Sequence, residues 1–137
     1  MKHLIIICVA TAIAWSLAAC GGSEPSAPPP VSLTVEGLDT FQYDPATLSV
    51  PAGTEVMLTF KNSGGLDHNF ILVSESTDVL SVTEADALGG INAGTVAGGN
   101  ETTFTFTAPA AGTYKYVCTI AGHAVGGMVG TLTTTSP

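Results

Sequence analysis

The chain has 137 residues, which is enough for one domain with a single hydrophobic core. Its formal net charge is −8, from three Lys and Arg against eleven Asp and Glu. This acidic balance excludes nucleic acid as a partner on electrostatic grounds. An acidic surface suits a basic protein partner, but it also simply keeps a protein soluble. The composition does not separate these two roles.

Residues 1–19 are predicted to be a secretory signal peptide, here that of a lipoprotein. Lys2 precedes an apolar run of sixteen residues, from Leu4 to Ala19. A positive start, an apolar middle and small residues before a cleavage site are typical of such peptides. A membrane-spanning helix is the alternative, but it needs about 20 residues to cross a bilayer.

Residues 20–30 are predicted to be a lipidated cysteine followed by a flexible tether. The segment Leu17-Ala18-Ala19-Cys20 resembles the lipobox of bacterial lipoproteins. That resemblance implies cleavage before Cys20, a lipid on its sulfur and a protein anchored to a membrane outside the cytoplasm. The following GGSEPSAPPP combines flexible Gly and Ser with an extended proline run, at about 3.1 Å per residue. Such a tether would hold the domain up to roughly 30 Å from the lipid surface.

Residues 31–137 have the pattern of an all-β sandwich with seven or eight strands. Short runs of alternating apolar and polar residues are separated by Gly, Pro, Asn and Asp, as is usual in such folds. The apolar positions that share a face within each run are Val31, Leu33 and Val35; Leu48 and Val50; Val56, Leu58 and Phe60; Phe104 and Phe106; Tyr114, Tyr116 and Cys118; and Met128, Gly130 and Leu132. Residues 70–73 form a shorter, more uniformly apolar strand. Within the less regular residues 74–100, a short helix fits 77–88 and a glycine-rich loop fits 89–100.

Cys118 has no partner for a disulfide in the mature chain. Of the three cysteines, Cys8 leaves with the signal peptide and Cys20 is predicted to carry the lipid. Disulfides are common in an oxidising extracytoplasmic compartment, so a lone thiol there requires an explanation. It is either a buried, inert residue or a metal thiolate, and its neighbours distinguish the two.

The residues around Cys118 predict a mononuclear copper site. His123 follows five positions later and Met128 ten positions later, while His68 lies fifty residues earlier, at the start of an apolar strand. A thiolate and two imidazoles in a trigonal plane, with a weak axial thioether, form a blue copper site. The sequence therefore predicts one copper ion per chain, cycling between Cu(I) and Cu(II), with these four residues as ligands. Met57, on the polar side of its strand, is expected to pack rather than to bind metal.

These motifs resemble those of the cupredoxins, in particular plastocyanin, azurin and the auracyanins. YKYVCTIAGH (residues 114–123) is similar to azurin in its Cys-to-His spacing, and HAVGGMVGT (residues 123–131) is similar to plastocyanin in its His-to-Met spacing. His68-Asn69 matches the first ligand and the following Asn of both. The resemblance covers Val31 to Thr134 and implies a Greek-key β-sandwich. It further implies a monomeric one-electron carrier, not an enzyme, serving redox partners such as a cytochrome or a membrane complex in a photosynthetic or respiratory chain.

The resemblance also implies two supporting residues beside the copper. The backbone N–H groups of Asn69 and Ile120 would donate to the Cys118 sulfur, and such bonds stabilise a thiolate and tune its reduction potential. The sequence departs from the family pattern at two positions. Ala121 stands where a proline is common in this loop, so the loop has less stiffness than usual. Asp67 rather than Gly precedes the first histidine, which argues against an azurin-like axial carbonyl.

Three other functions compete with electron transfer. An extracytoplasmic copper-binding and delivery protein would use the same residues, but such proteins often have Met-rich or His-rich tracts, which this sequence lacks. A multicopper oxidase needs paired His-x-His motifs, and a binuclear copper centre needs two cysteines in the ligand loop; neither is present. A metal-free adhesion sandwich leaves the Cys, His and Met spacing unexplained. Copper delivery is therefore the main alternative.

Overall fold

The computed structural model describes residues 29–136. Within this range the chain forms nine β-strands and two short 3-10 helices, Glu84–Asp86 and Leu88–Gly90. The strands are β1 (Val31–Leu38), β2 (Gln42–Asp44), β3 (Thr47–Pro51), β4 (Glu55–Asn62), β5 (His68–Ser74), β6 (Asn92–Val96), β7 (Glu101–Thr107), β8 (Gly112–Val117) and β9 (Val129–Thr135). The predicted signal peptide, Cys20 and most of the tether lie outside the described residues. No helix between residues 29 and 136 is long and apolar enough to cross a membrane.

The strands form two sheets, one with the order β2-β1-β4-β7 and the other β3-β9-β8-β5-β6. β1 runs parallel to β4 and β3 runs parallel to β9, whereas the other paired neighbours are antiparallel. The chain passes repeatedly from one sheet to the other, because consecutive strands such as β3, β4 and β5 alternate between them. This arrangement confirms the predicted all-β sandwich.

Alternation along the strands builds the core between the two sheets. In β4, Val56, Leu58 and Phe60 are fully buried and alternate with more exposed residues, as a strand with one solvated face requires. β5 differs, because every residue in it except Ser74 is buried. Its outer face is covered by apolar side chains from residues 79–87, which form a small second core. β5 is therefore enclosed on both faces.

The structure differs from the sequence-based expectation in residues 74–100. Residues 92–96 form β6, which pairs with β5, although the glycine-rich sequence predicts a loop. Gly94 has a φ of 69°, and the pairing shifts register between Asn69 and Ile71 of β5, so the usual alternation is lost. The helix expected in residues 77–88 is reduced to 3-10 turns at Glu84–Asp86 and from Leu88. β6 and the three-residue β2 bring the strands of the described region to nine.

The second sheet brings strand termini together at one end of the sandwich. His68 begins β5, Cys118 follows β8 and Met128 precedes β9. Because β8 is antiparallel to both β5 and β9, these three positions lie at the same end of the sheet. β1 also approaches this end: a Cβ added to Gly37 would lie 3.2 Å from both the Cβ of His68 and the Cε of Met128.

Candidate metal centre

Three potential metal-binding side chains converge at this end of the sandwich. The Nδ1 atoms of His68 and His123 lie 3.2 Å apart, and the Sγ of Cys118 lies 3.4 Å from the Nδ1 of His123. The three donor atoms all lie within 4.8 Å of one another. His68 and Cys118 are fully buried and His123 is 7% exposed. The donors therefore form an enclosed cluster with one ring near the surface.

The spacing of these atoms fits a single first-row metal ion. Two nitrogens about 2.0 Å from one ion, at trigonal or tetrahedral angles, are roughly 3.3 to 3.5 Å apart, and a sulfur at about 2.3 Å is roughly 3.5 to 3.7 Å from either nitrogen. When both rings carry their proton on Nε2, the two Nδ1 lone pairs face each other at 3.2 Å, and a cation between them can accept both. Two imidazoles and a thiolate are the donor set of blue copper sites.

Met128 lies beside this cluster. Its side chain is fully buried, and its Cε approaches Gly37, as does the Cβ of His68. Its N–H donates to the C=O of His123 at 3.0 Å, and its C=O accepts from the N–H of Cys118 at 3.2 Å. The structure thus brings the four residues predicted as ligands to one end of the sandwich. Cys118, His123 and Met128 lie in one loop closed by backbone hydrogen bonds, and His68 lies at the start of β5.

The Cys118 sulfur accepts a hydrogen bond from the backbone N–H of Asn69, with N and Sγ 3.5 Å apart. The backbone N–H of Ile120 also lies close enough to lower the pKa of the thiol. Burial raises the pKa of the Cys118 thiol, and these two N–H donors partly oppose that rise. Both contacts therefore favour the thiolate, the form that binds metal.

The side chain of Asn69 joins β5 to the loop after β8. Its Oδ1 accepts from the N–H of Thr119 at 2.8 Å, and its Nδ2 donates to the Oγ1 of Thr119 at 2.7 Å and to Oε1 of Glu84 at 3.0 Å. Its backbone C=O accepts from the Tyr43 hydroxyl at 2.7 Å. The other oxygen of Glu84 accepts from Asn92 at 3.1 Å. Because Asn69 is fully buried, these bonds fix the position of the N–H that faces the sulfur.

The imidazole of His123 is held in a compact loop and shielded on one face. The backbone N–H of His123 donates to the C=O of Ile120 at 3.0 Å. The ring of Phe41 packs against it, with centroids 4.6 Å apart. Burial, and secondly the nearby His68, lower the pKa of His123. The ring is therefore neutral at neutral pH, and in the tautomer with its proton on Nε2 the lone pair of Nδ1 is available for a metal.

Three residues at the site are not identified by the sequence analysis: Asp39, Phe41 and Glu84. Asp39 and Phe41, in the turn between β1 and β2, contact the two histidines, and Glu84 bonds to the asparagine described above. The sequence gives one indirect signal of Asp39 and Phe41: a glycine stands at each position that their side chains approach. A Cβ on Gly64 would overlap the Asp39 carboxylate, and a Cβ on Gly126 would lie 2.6 Å from the Phe41 ring.

Comparison with known proteins places the chain in a family. Residues 29–135 match the family described as copper binding proteins, plastocyanin/azurin family. The chain is 35% identical over 147 residues to auracyanin-A of Chloroflexus aurantiacus, covering 88% of this chain and 90% of that protein. It is 32% identical over 100 residues to the copper-resistant cuproprotein CopI of Rubrivivax gelatinosus, covering 67% of this chain and 59% of that protein.

Solved structures agree with these sequence matches. The crystal structure of dithionite-reduced auracyanin from the photosynthetic bacterium Roseiflexus castenholzii matches with a TM-score of 0.68 and 27% identity. The match covers 78% of this chain and 98% of that one. From its sequence, its fold and its cluster of two histidines and a cysteine, the chain belongs to the plastocyanin/azurin family of copper-binding proteins.

Proposed function

We propose that this protein is a one-electron carrier whose single copper ion would be held by His68, Cys118 and His123, with the thioether of Met128 as a weaker fourth ligand. The observation that carries the proposal is the buried convergence of two Nδ1 atoms and one Sγ within 4.8 Å. Membership of the plastocyanin/azurin family supports copper as the cofactor and electron transfer, rather than catalysis, as the activity. When bound, copper supplies the ability to gain or lose one electron between Cu(II) and Cu(I).

The surroundings of the four residues keep them in place. His68 opens a strand that is buried on both faces, and the loop that begins at Cys118 is braced by Asn69 and closed by the backbone bonds of Met128. A preorganised arrangement changes little when an electron arrives or leaves. The cost of reorganisation is therefore small, which suits rapid and reversible electron exchange.

Electrons are proposed to pass through the exposed edge of His123. The residues that follow it are small or apolar, and Val125 is 76% exposed. Leu66, in the loop bonded to Asp39, is 45% exposed. An apolar surface lets a partner approach closely without desolvating charges. The alternative is that the glycines of these loops serve only turn geometry.

The proposed setting is an electron-transfer chain outside the cytoplasm. The compared auracyanin of Roseiflexus castenholzii comes from a photosynthetic bacterium, which supports a role in a photosynthetic or respiratory chain. The donor and acceptor would be redox proteins such as a cytochrome or a membrane complex. A lipid on Cys20 would keep the monomeric domain at the membrane where such complexes lie.

Copper delivery is the second candidate function. It is favoured by the similarity to CopI, a copper-resistant cuproprotein. Metal transfer requires donors that an incoming ligand can reach, whereas His68, Cys118 and Met128 are fully buried. The enclosed site favours electron exchange over metal exchange. Slow loss of copper to a competing Cu(I) chelator would support this conclusion, and rapid loss would favour delivery.

A visible spectrum of the copper-loaded protein tests the proposal. We expect an intense band from charge transfer between the Cys118 thiolate and Cu(II). Cys118→Ser should abolish the band even if copper still binds, whereas Cys20→Ser, the same change at the other mature cysteine, should retain it. A Cys118→Ser protein with the full band would refute the assignment.

A further inference from the structure

The second ring nitrogen of His68 points away from the cluster toward a carboxylate. His68 Nε2 is fully buried, and no atom of residues 29–136 meets hydrogen-bond geometry with it. The Oδ1 of Asp39 lies 3.4 Å from it. If Nδ1 binds metal, Nε2 carries the proton of the neutral ring. A buried N–H without an acceptor is costly, and Asp39 is the carboxylate placed to accept it.

The Asp39 carboxylate is held in this position by the loop that precedes β5. Its Oδ2 accepts from the N–H of Gly65 at 2.8 Å, and its Oδ1 accepts from the N–H of Leu66 at 3.1 Å. Gly64 leaves space for the carboxylate, because a Cβ there would overlap it. These N–H donors, Gly65 first, lower the pKa of Asp39, so it is an anion at neutral pH. The turn between β1 and β2 thus delivers a fixed negative charge to His68.

We propose that Asp39 is a positioning residue for the copper site, accepting the Nε2–H of His68 and thereby aiming Nδ1 at the metal. The inference rests on the proposed ligand role of His68. Metal-binding histidines commonly donate their other N–H to a carboxylate, which fixes the tautomer and raises the basicity of the ring. The distance of 3.4 Å exceeds that of a strong hydrogen bond, so the proposal requires the two groups to move closer when metal is bound.

The charge of Asp39 has a second effect on the site. A nearby anion stabilises Cu(II) more than Cu(I), since the oxidised ion carries the greater positive charge. Asp39 therefore lowers the reduction potential. Its side chain is 46% exposed, so solvent and salt weaken this long-range effect. The hydrogen bond from His68 Nε2–H to Asp39, which orients the His68 ring, is less sensitive to salt than this long-range effect. The competing explanation is that Asp39 only caps the N–H groups of residues 65 and 66.

The experiment compares Asp39→Asn with Asp67→Asn. Both remove one carboxylate near His68, but Asp67 is an exposed neighbour in the chain rather than a contact of Nε2. Two readouts are used: the reduction potential of the copper protein, and the NMR resonance of the His68 Nε2–H in the diamagnetic Cu(I) form. Asp39→Glu, which keeps the carboxylate, serves as the conservative variant.

We expect Asp39→Asn to raise the potential more than Asp67→Asn, to shift the Nε2–H resonance upfield and to weaken Cu(II) binding about tenfold. Asp39→Glu should restore part of each change. Equal potentials for the two Asn variants, with an unmoved Nε2–H resonance, would show that Asp39 only caps the loop. If Asp39→Asn does not fold, the chemical shift of the wild-type resonance decides: a strongly downfield Nε2–H, as expected for donation to a carboxylate, supports the contact, and the shift of an N–H without an acceptor refutes it. Loss of the blue band in the wild type would instead refute the proposed function itself.

Discussion

The ring of Phe41 packs against the imidazole of His123, with centroids 4.6 Å apart and planes inclined by 37°. Phe41 has a φ of 58°, in the left-handed region that disfavours bulky residues. Gly126 leaves room for the ring, because a Cβ there would lie 2.6 Å from Phe41 Cδ2. The positive φ of Phe41 and the absence of a side chain at Gly126 therefore both allow the Phe41 ring to pack on His123.

The strain at Phe41 predicts an unusual order of stability for two variants. Phe41→Ala and Phe41→Gly both lose the packing on His123, but only glycine relieves the left-handed backbone. Phe41→Gly should therefore be more stable than Phe41→Ala by roughly 1 kcal/mol, although glycine in a regular strand is less stable than alanine. Chemical denaturation of the metal-free proteins measures the difference. The same pair at Phe104, in the regular strand β7, should show the ordinary order, and that order at both sites would contradict the prediction.

Copper uptake by the metal-free protein should strengthen with rising pH. Burial raises the pKa of the Cys118 thiol, while burial lowers the pKa of His123. At neutral pH the imidazole is thus already free, and the thiol must lose a proton when metal binds. Between neutral pH and the thiol pKa, apparent affinity should rise about tenfold per pH unit. Competition against a chelator, corrected for the protonation of the chelator, measures the slope. Cys118→Ser should lack this step, and a slope unchanged in that variant would assign the proton to another group.

A charge at Val125 should slow electron exchange without altering the copper site. Val125 is exposed in the loop that follows His123, so either Lys or Glu there would have to be desolvated by an approaching partner. A cost of about 1.4 kcal/mol corresponds to a tenfold slower reaction. Stopped-flow exchange with a redox partner measures the rate, and the visible spectrum confirms that the site is intact. The same charges at Thr105, exposed on β7, serve as controls. Normal rates for both Val125 variants, together with slower exchange after neutralisation of acidic residues, would place docking on the acidic surface.

Cys20 is expected to carry lipid in the cell. The Leu17-Ala18-Ala19-Cys20 segment motivates this prediction, and two or more acyl chains would give stable anchoring where one gives only marginal binding. Radiolabelled fatty acid should enter the wild-type protein, whereas Cys20→Ala should stay unlabelled and leave the membrane fraction. Equal labelling of the two proteins would end the lipoprotein hypothesis.

The sequence predicts the donors of the site more completely than their surroundings. Cys118, His123 and Met128 lie close together in the chain, and scarce residue types at fixed spacing carry a strong signal. Asp39 and Phe41 carry no such signal, because their roles arise only when the turn between β1 and β2 packs against two distant loops.

The same reasoning applies to the fold. Strands such as β4 are recognisable because one face is buried and the other is exposed. β6 is not, since its glycine at positive φ and the irregular register opposite it remove the alternation. Glu84 carries no signal of its own in the sequence, because its bonds to Asn69 of β5 and to Asn92 of β6 form only when the chain folds.

Strand β1 gives the domain a polarity. It begins at Val31, beside the predicted tether, and six residues later Gly37 lies against His68 and Met128. Six strand residues span about 20 Å, so the point of attachment and the copper end are at opposite ends of β1. A lipid on Cys20 would thus attach the domain through the end of β1 that lies away from the copper site. The His123 edge would then be free to face different directions. The domain would then meet membrane complexes by reorienting about its flexible tether. Shortening the proline-rich segment should slow electron exchange with membrane-bound partners and leave exchange with soluble partners unchanged.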